Sequence, residues 1–442
     1  MDKVIIDFFS RNNLDLANKT IVIAVSTGVD SMALFHAFLS LKEKYNLRLE
    51  VAHVNHMVRC ESMLEEEYIK NYCMQNNIGF HLMHLKLNPS LNFQSYARSE
   101  RYKFFDEVVK KTNAEYLALA HHAIDNMETI LMRILRGSSL KGYAGIREVV
   151  NKENYLIIRP FLNILKNDII KYCKINTITY FEDKSNQLDK YTRNRIRHDI
   201  IPFLFKEDEN AHIKFQEFAD VIYNAALIVE NEVMKFLEKV EYYDKCYKFK
   251  VNDFLNLNPY LQEEVLFKLL REYELSKKNV LEIIKIISSK KKNIKVNYLD
   301  NLTIVKEYEE IKIFLYLVKT KEIDIIIDEI KTYPVNDTIE INVTKLDGNF
   351  VQSKDELWYN SNMLPVRIRS RKPGDKILLE TGYKKVKDLL IDLKMGILER
   401  EKVLVMEKDN EILAIIGIRK SVILKQIANN DILISVRARE NG

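Results

Sequence analysis

The 442-residue chain reads as an α/β protein: an N-terminal doubly wound parallel sheet, then a helical domain, then a small mixed α+β C-terminal domain. Three observations carry that reading. Ile21-Val22-Ile23-Ala24-Val25 is a short, unbroken, mostly β-branched run of the kind buried on both faces of a sheet. Strand-like and helix-like segments then alternate as far as Phe205, which predicts parallel pairing through crossover helices and ligands at the carboxyl ends of the strands. Beyond the acidic stretch 206–210 the period changes. Apolar residues recur at three- and four-residue spacing from Ala211 to about Ser289, and after Lys290-Lys291-Lys292 the chain turns strand-rich through Arg439.

A chain this long exceeds one core. The expected domains are 1–205, a helical middle at 211–290, a connecting strand-rich region at 291–363 and a basic C-terminal domain at 364–442. Within the first domain the elements follow in order. After the strand ending at Val25 comes a helix running to about Lys44, then a strand at Leu47–Val54 and a helix at Glu61–Gln75. A strand at Phe80–Leu85, a helix at Gln94–Lys111, a strand at Glu115–Ala120 and a helix at Asp125–Leu135 complete the alternation, which the glycines between 137 and 145 bring to an end.

Composition excludes several classes. A net charge of +5 is mildly basic and permits nucleic-acid binding without arguing for it. Four cysteines, with no C-x-x-C and no metal-ligand spacing, fit structural thiols in a reducing cytoplasm. An acid interrupts the short apolar stretch at the N-terminus, so no signal peptide is expected, and no apolar run is long enough for a membrane span.

The chemistry gathers at strand ends. Ser26-Thr27-Gly28-Val29-Asp30-Ser31 joins the first strand to a helix whose opening N–H groups lack intrahelical partners, and its dipole favours negative charge. Ser26, Thr27 and Ser31 add hydroxyls, and Asp30 can hold a divalent cation against phosphate oxygens. A positive φ at Thr27 would cost on the order of 1 kcal/mol, since its Cβ crowds the backbone there. The second strand leaves through His53-Val54-Asn55-His56 to Arg59, where the edge of an adenine or ribose would lie. The fourth leads to His121-His122 and on to Asp125, Glu128 and Thr129, which share one helical face. Arg193 and Arg197, one turn apart, form a cluster suited to a phosphate backbone. Arg367, Arg369 and Arg371 alternate as on one strand face, and Lys384, Lys385 and Lys387 follow.

These motifs, in this order, resemble the N-type ATP pyrophosphatases and, among them, the tRNA(Ile)-lysidine synthetases. The first loop is similar to Ser-Gly-Gly-x-Asp-Ser, with Thr27 in place of a glycine, and 121–129 is similar to His-His-x-Asp-Asp-Gln-x-Glu-Thr, with Ile124 and Asn126 departing. Gln94–Phe105 is similar to the family's Gln-x-x-Ala-Arg-x-x-Arg-Tyr-x-Phe helix, and 371–375 and 384–387 to its C-terminal domain.

The resemblance implies an enzyme that attaches free L-lysine to C2 of the wobble cytidine (position 34) in the CAU anticodon of tRNA(Ile). The route runs through an adenylated tRNA, with ATP cleaved to AMP and pyrophosphate. The product lysidine reads AUA and changes charging identity from methionine to isoleucine. ATP with Mg²⁺ on Asp30 is implied as cofactor, and the setting is cytoplasmic, with no membrane partner and with room for a homodimer. Ser26 to Ser31, His53, Asn55 and Arg59 are expected on ATP, and Arg101 on the adenylate. Asp125 and Glu128 are expected on lysine, with His122 or a carboxylate taking the amine proton. Arg193, Arg197, Arg367, Arg369, Arg371, Lys384, Lys385 and Lys387 are expected on tRNA. A tRNA thiolase, an amide-forming synthetase and an RNA-binding protein with a decayed loop remain as alternatives at this point; the lack of C-x-x-C weighs against the thiolase.

Overall fold

A computed structural model describes residues 1–55, 57, 61–85, 93–181, 192–299, 301–319, 321–335, 339–346 and 356–438. Arg59 and His56 lie outside them. The chain divides into two compact units, Met1–Glu230 and Asn231–Gly442.

The first unit is built on a six-stranded sheet. Its elements are α1 (Asp2–Arg11), β1 (Thr20–Ala24), α2 (Val29–Tyr45), β2 (Arg48–Asn55), α3 (Glu61–Gln75), β3 (Gly79–His84) and α4 (Phe93–Thr112). There follow β4 (Tyr116–Ala118), α5 (Ala123–Arg136), α6 (Leu140–Tyr143), β5 (Val149–Asn151), β6 (Leu156–Ile158) and α7 (Lys166–Ile175). After them come α8 (Thr192–Arg195), a π-helical turn at Ile196–Ile200, α9 (Ile201–Glu207) and α10 (Ala211–Leu237), which runs on into the second unit.

The strand order is β3-β2-β1-β4-β6-β5. All pairs are parallel except the β5–β6 edge. Ile21, Val22 and Ile23 are wholly buried because β1 has packing on both sides. Ile21 and Ile23 join the cluster of Phe35, Phe38 and Phe161, while Val22 faces Phe105, Val108 and Leu117. That two-sided burial is why the strand reads as a continuous apolar run rather than an alternating one. From β1 the chain moves outward to β2 and β3, then returns to the other side of β1 at β4. The switch point, and with it the crevice that accepts a ligand, lies at the carboxyl ends of β1 and β4.

The second unit departs from the expected boundaries. The helical reading of 211–289 is interrupted by a hairpin, Glu241–Tyr243 and Cys246–Lys250. Its turn residues Asp244 and Lys245 both have positive φ, the geometry a tight two-residue hairpin needs. Strands Asn293–Tyr298, Leu302–Glu307 and Glu310–Phe314 complete a five-stranded sheet with that hairpin. The region 291–363 is therefore not one connector, since its first strands belong with the middle helices. Its later strands pair forward: Asp324–Ile327 joins Val366–Ser370, and Ile339–Lys345 joins Ile432–Ala438. Cross-strand partners of this kind reach from Ile339 to Ala438, beyond the range of local periodicity.

Candidate active site

The loop after β1 is held from within. Ser31 Oγ accepts the Ser26 N–H at 3.1 Å and donates to the Gly28 carbonyl at 3.0 Å, so the hydroxyl braces the turn that opens α2. Thr27 adopts φ +63°, the strained conformation the sequence allowed for, and is completely buried. Its Oγ1 lies 3.0 Å from Glu65 Oε2 on α3, and its carbonyl accepts the Phe181 N–H at 3.0 Å. These contacts offset the strain. Gly28, in contrast, sits at φ −71° and ψ 162°, ordinary extended backbone.

A cavity of about 230 Å³ opens at the switch point. Ala24, Ala52, Val54, Leu119, Tyr102 and Phe105 make its apolar wall. Ser26, Gly28, Asp30, Ser31, Arg101 and His121 make its polar end. An apolar slot that runs into a hydroxyl- and amide-rich loop suits a flat base at one end and phosphate at the other. Burial lowers the pKa of the Arg101 guanidinium.

Side-chain alternation on β2 corrects two expectations. Ala52 and Val54 face the cavity, so His53 and Asn55 face away from it. His53 is buried, donates from Nδ1 to the Val25 carbonyl at 2.8 Å and stacks on Phe80; burial also lowers its pKa. Asn55 donates to Glu66 Oε2 at 2.7 Å and to the Ser62 carbonyl at 3.1 Å, and accepts the Met57 N–H at 2.9 Å. Both residues brace the backbone that forms the site.

Asp30 stands in the first turn of α2 with Oδ1 buried and unpartnered and Oδ2 3.8 Å from His122 Nε2. Burial raises its pKa, with the charges of His122 and Lys166 opposing the rise. Among the described residues no group of three or more His, Cys, Asp or Glu could hold a metal by itself. One free carboxylate oxygen beside a phosphate loop is nevertheless a donor set that fits Mg²⁺, which takes one or two carboxylates and completes its shell with phosphate and water.

On α5, Asp125 and Glu128 face a pair of arginines. Glu128 is wholly buried, with Oε2 accepting from Arg193 Nε and Oε1 from Arg197 Nε. Asp125 Oδ1 accepts from Arg193 Nη2 at 3.1 Å and Arg197 Nη2 at 3.2 Å, and its Oδ2 accepts the His122 N–H at 3.1 Å. Burial alone would raise the Asp125 pKa, but His122 and Arg193 outweigh it and hold the carboxyl low. Arg193 and Arg197, expected on the RNA side, thus turn inward onto the acidic pair. The carboxylates on α5 would otherwise be buried without partners, and that penalty draws the arginines in. His122 links the two clusters, with Nε2 3.6 Å from Asp125 Oδ2 as well. Ile124 packs against the apolar cluster of Met127, Ile196 and Ile201, and Asn126 bonds Gln216 and the Ile146 N–H. Neither departure from the motif touches the site.

Two further residues stand here: His121, part of the motif but given no role by the sequence, and Lys166, which carries no motif signal. His121 lines the cavity with its Nδ1 accepting from Arg159 Nε at 3.3 Å, and burial pushes its pKa down to about 3. Lys166, first residue of α7, reaches to 3.9 Å from Asp30 Oδ2.

In the second unit, Arg369 is buried between Asp375 (2.8 Å) and Glu407. It ties two strands to the following turn and presents no free guanidinium. Arg367 pairs with Asp324 at the surface, and Arg371 donates from Nε to the Arg400 carbonyl at 2.7 Å. Lys384 pairs with Asp392 at 2.6 Å, while Lys385 and Lys387 are exposed.

Residues 3–204 match the family described as a PP-loop domain. Over nearly its full length the chain is 31% identical to the tRNA(Ile)-lysidine synthase of Geobacillus kaustophilus, covering 94% of each protein. It is 31% identical to that of Bacillus subtilis, over 99% of this chain and 98% of the other. Against the Staphylococcus aureus (strain MRSA252) protein it is 34% identical, over 92% and 95%. This chain belongs to the tRNA(Ile)-lysidine synthase family. The cavity at its switch point lies within the matched PP-loop domain of this ATP-dependent ligase family. No helix of the described residues is long and apolar enough to cross a membrane.

Proposed function

We propose that this lysidine synthase attaches free lysine to C2 of the wobble cytidine in a CAU-anticodon tRNA(Ile), in two steps within one site. One observation carries the reading: His122 Nε2 stands 3.8 Å from Asp30 and 3.6 Å from Asp125, so the phosphate loop and the acidic pair are neighbours. A phosphoryl-activating centre and an amine-binding centre that touch are what a ligation through an adenylated base requires.

In the first step the cytidine O2 attacks the α-phosphorus, a P–O bond forms, and pyrophosphate leaves. The adenine lies in the slot of Ala24, Ala52, Val54 and Phe105, and the phosphates lie across the loop of Ser26 to Ser31. Mg²⁺ on Asp30, when bound, neutralises the charge that develops on the leaving group. Arg101 steadies the adenylate from the cavity rim. In the second step the lysine ε-amine attacks C2, the C–N bond forms, and AMP departs with the former cytidine oxygen.

A free amine has a pKa of about 10.4, so a proton must leave it at the site. Asp125 and Glu128 bind the lysine, and His122 or one of these carboxylates accepts that proton. Arg193 and Arg197 are already seated on the two acids, and His122 and Arg193 hold the Asp125 carboxyl low. The RNA backbone runs over cations that include the exposed Lys385 and Lys387 and the half-buried Arg371. The product reads AUA and is charged with isoleucine in place of methionine.

Incubation with ATP, labelled lysine and a CAU-anticodon tRNA(Ile) tests the proposal. Label in the RNA, together with pyrophosphate release that needs the tRNA, is expected. Pyrophosphate release without tRNA, or label transfer to a protein or small-molecule acid, overturns it.

A further inference from the structure

We propose that Lys166 is a binding residue for the pyrophosphate leaving group, the fixed cation of the site where the β- and γ-phosphates sit. The inference rests on the proposed ATP cleavage and names a residue for one part of it.

Three helices begin around Asp30. Gly28, His122 and Leu165 are the N-caps of α2, α5 and α7, so three helix N-termini with their positive dipole ends begin there. The convergence is built, because the Ala123 N–H donates to the Ile164 carbonyl at 3.0 Å and ties the start of α5 to the start of α7. Along their length α2 and α7 are joined by His36 Nδ1 and Tyr172 Oη at 3.0 Å and by Cys173 Sγ and the Val29 carbonyl at 3.7 Å. Lys166 therefore starts from a rigid backbone position.

The side chains at this point lean towards a ligand. His122 is 2% exposed and its Nδ1 has no partner, and Asp30 Oδ1 is likewise buried and unpartnered. At 3.9 Å from Asp30 Oδ2, Lys166 Nζ is beyond hydrogen-bond distance, so its three donors are not spent on that carboxylate. Among the described residues, Arg193 and Arg197 hold Asp125 and Glu128, and Arg101 stands at the polar end of the cavity, where it is assigned to the adenylate. Pyrophosphate leaving the α-phosphorus carries several negative charges. Lys166 is the ammonium positioned at the loop end to meet them, with Asp30 Oδ1 left for a cation.

Equilibrium binding of inorganic pyrophosphate, ATP and AMP, each with Mg²⁺, tests this on the full-length protein without any tRNA. Lys166→Met is expected to weaken pyrophosphate and ATP by tenfold or more while AMP stays within twofold, and Lys166→Arg is expected to recover most of the loss. An unchanged melting temperature separates these effects from misfolding. Pyrophosphate binding within twofold of wild type in Lys166→Met overturns the assignment, as does an equal loss for AMP. Failure of the wild-type protein to bind ATP overturns instead the ATP-cleavage reading on which the assignment rests.

Discussion

Two arginine–carboxylate clusters in this molecule look alike as contact diagrams and differ in what surrounds them. In the first unit, Asp125 and Glu128 hold Arg193 and Arg197, with the arginine side chains 41% and 27% exposed and Glu128 wholly buried. In the second unit, Arg369 holds Asp375 and Glu407, and every member is nearly sealed, with 7%, 9% and 12% exposure. A sealed cluster is part of the fold, because no ligand can reach it without opening the sheet. A cluster with buried acids and half-open cations, linked through His122 to Asp30 of the cavity, leaves its guanidinia within reach of a ligand. Burial of the members, more than their number or spacing, separates the two roles.

Substitutions can break this contrast, and the largest effect is expected beside the open cluster. Asp30→Ala should reduce pyrophosphate release by roughly a thousandfold, the scale seen when a principal charge-stabilising group is lost. Release that survives near the wild-type rate would remove Asp30 from the phosphate end. Arg369→Met should leave two nearly buried carboxylates without their guanidinium and cost about 3 kcal/mol. Denaturant melts measure that cost, and ATP binding by the folded protein should not change. Glu128→Gln keeps the shape of the open cluster but removes one charge between two guanidinia. Lysine transfer is expected to fall about a hundredfold while pyrophosphate release continues, within the range for a positioned acid–base group; equal losses in both steps would argue for a sealed, structural cluster here too.

His121 provides a pH test of the same cavity. Its pKa is about 3 in the fold against 6.5 when free, so the unfolded chain takes up a proton below pH 6.5 that the folded chain refuses. Stability is thus lost as pH falls from about 6.5 towards 3. Between pH 7 and pH 5 the loss should be about 2 kcal/mol. Urea melts at the two values should show a correspondingly smaller drop for His121→Asn, and an identical drop would place the proton elsewhere. The smallest effect belongs to Arg367→Ala. Its pair with Asp324 is exposed on both sides, at 42% and 45%, so its removal should leave the denaturant midpoint almost where it was.

The same contrast explains what the sequence could reveal. β1 and its loop were legible because a β-branched run, a small-residue turn and an amphipathic helix are local patterns. His53 and Asn55 were placed on the wrong face of β2, since alternation reveals that two faces exist but not which one meets the ligand. The small residues Ala24, Ala52 and Val54 were the better marker, as a cavity wall needs short side chains. Arg193 and Glu128 are 65 residues apart, and no spacing rule connects them. Lys166 opens an unremarkable helix, and long-range packing of α7 against α2 and α5 brings it to Asp30. In the second unit, the Asp244-Lys245 hairpin was missed because neither turn residue is the usual glycine or asparagine.

The division of labour in the first loop has a practical consequence. Its strained position is held by Thr27, so the glycine beside it is free of backbone duty. A methyl group built on Gly28 would come only to 3.6 Å from Ser26 Oγ, ordinary contact distance. Gly28 lines the cavity, so on the proposed phosphate placement that methyl would take up space beside the loop. Gly28→Ala is therefore a route to a folded but silent protein, one suited to capturing its RNA for structure determination without turning it over.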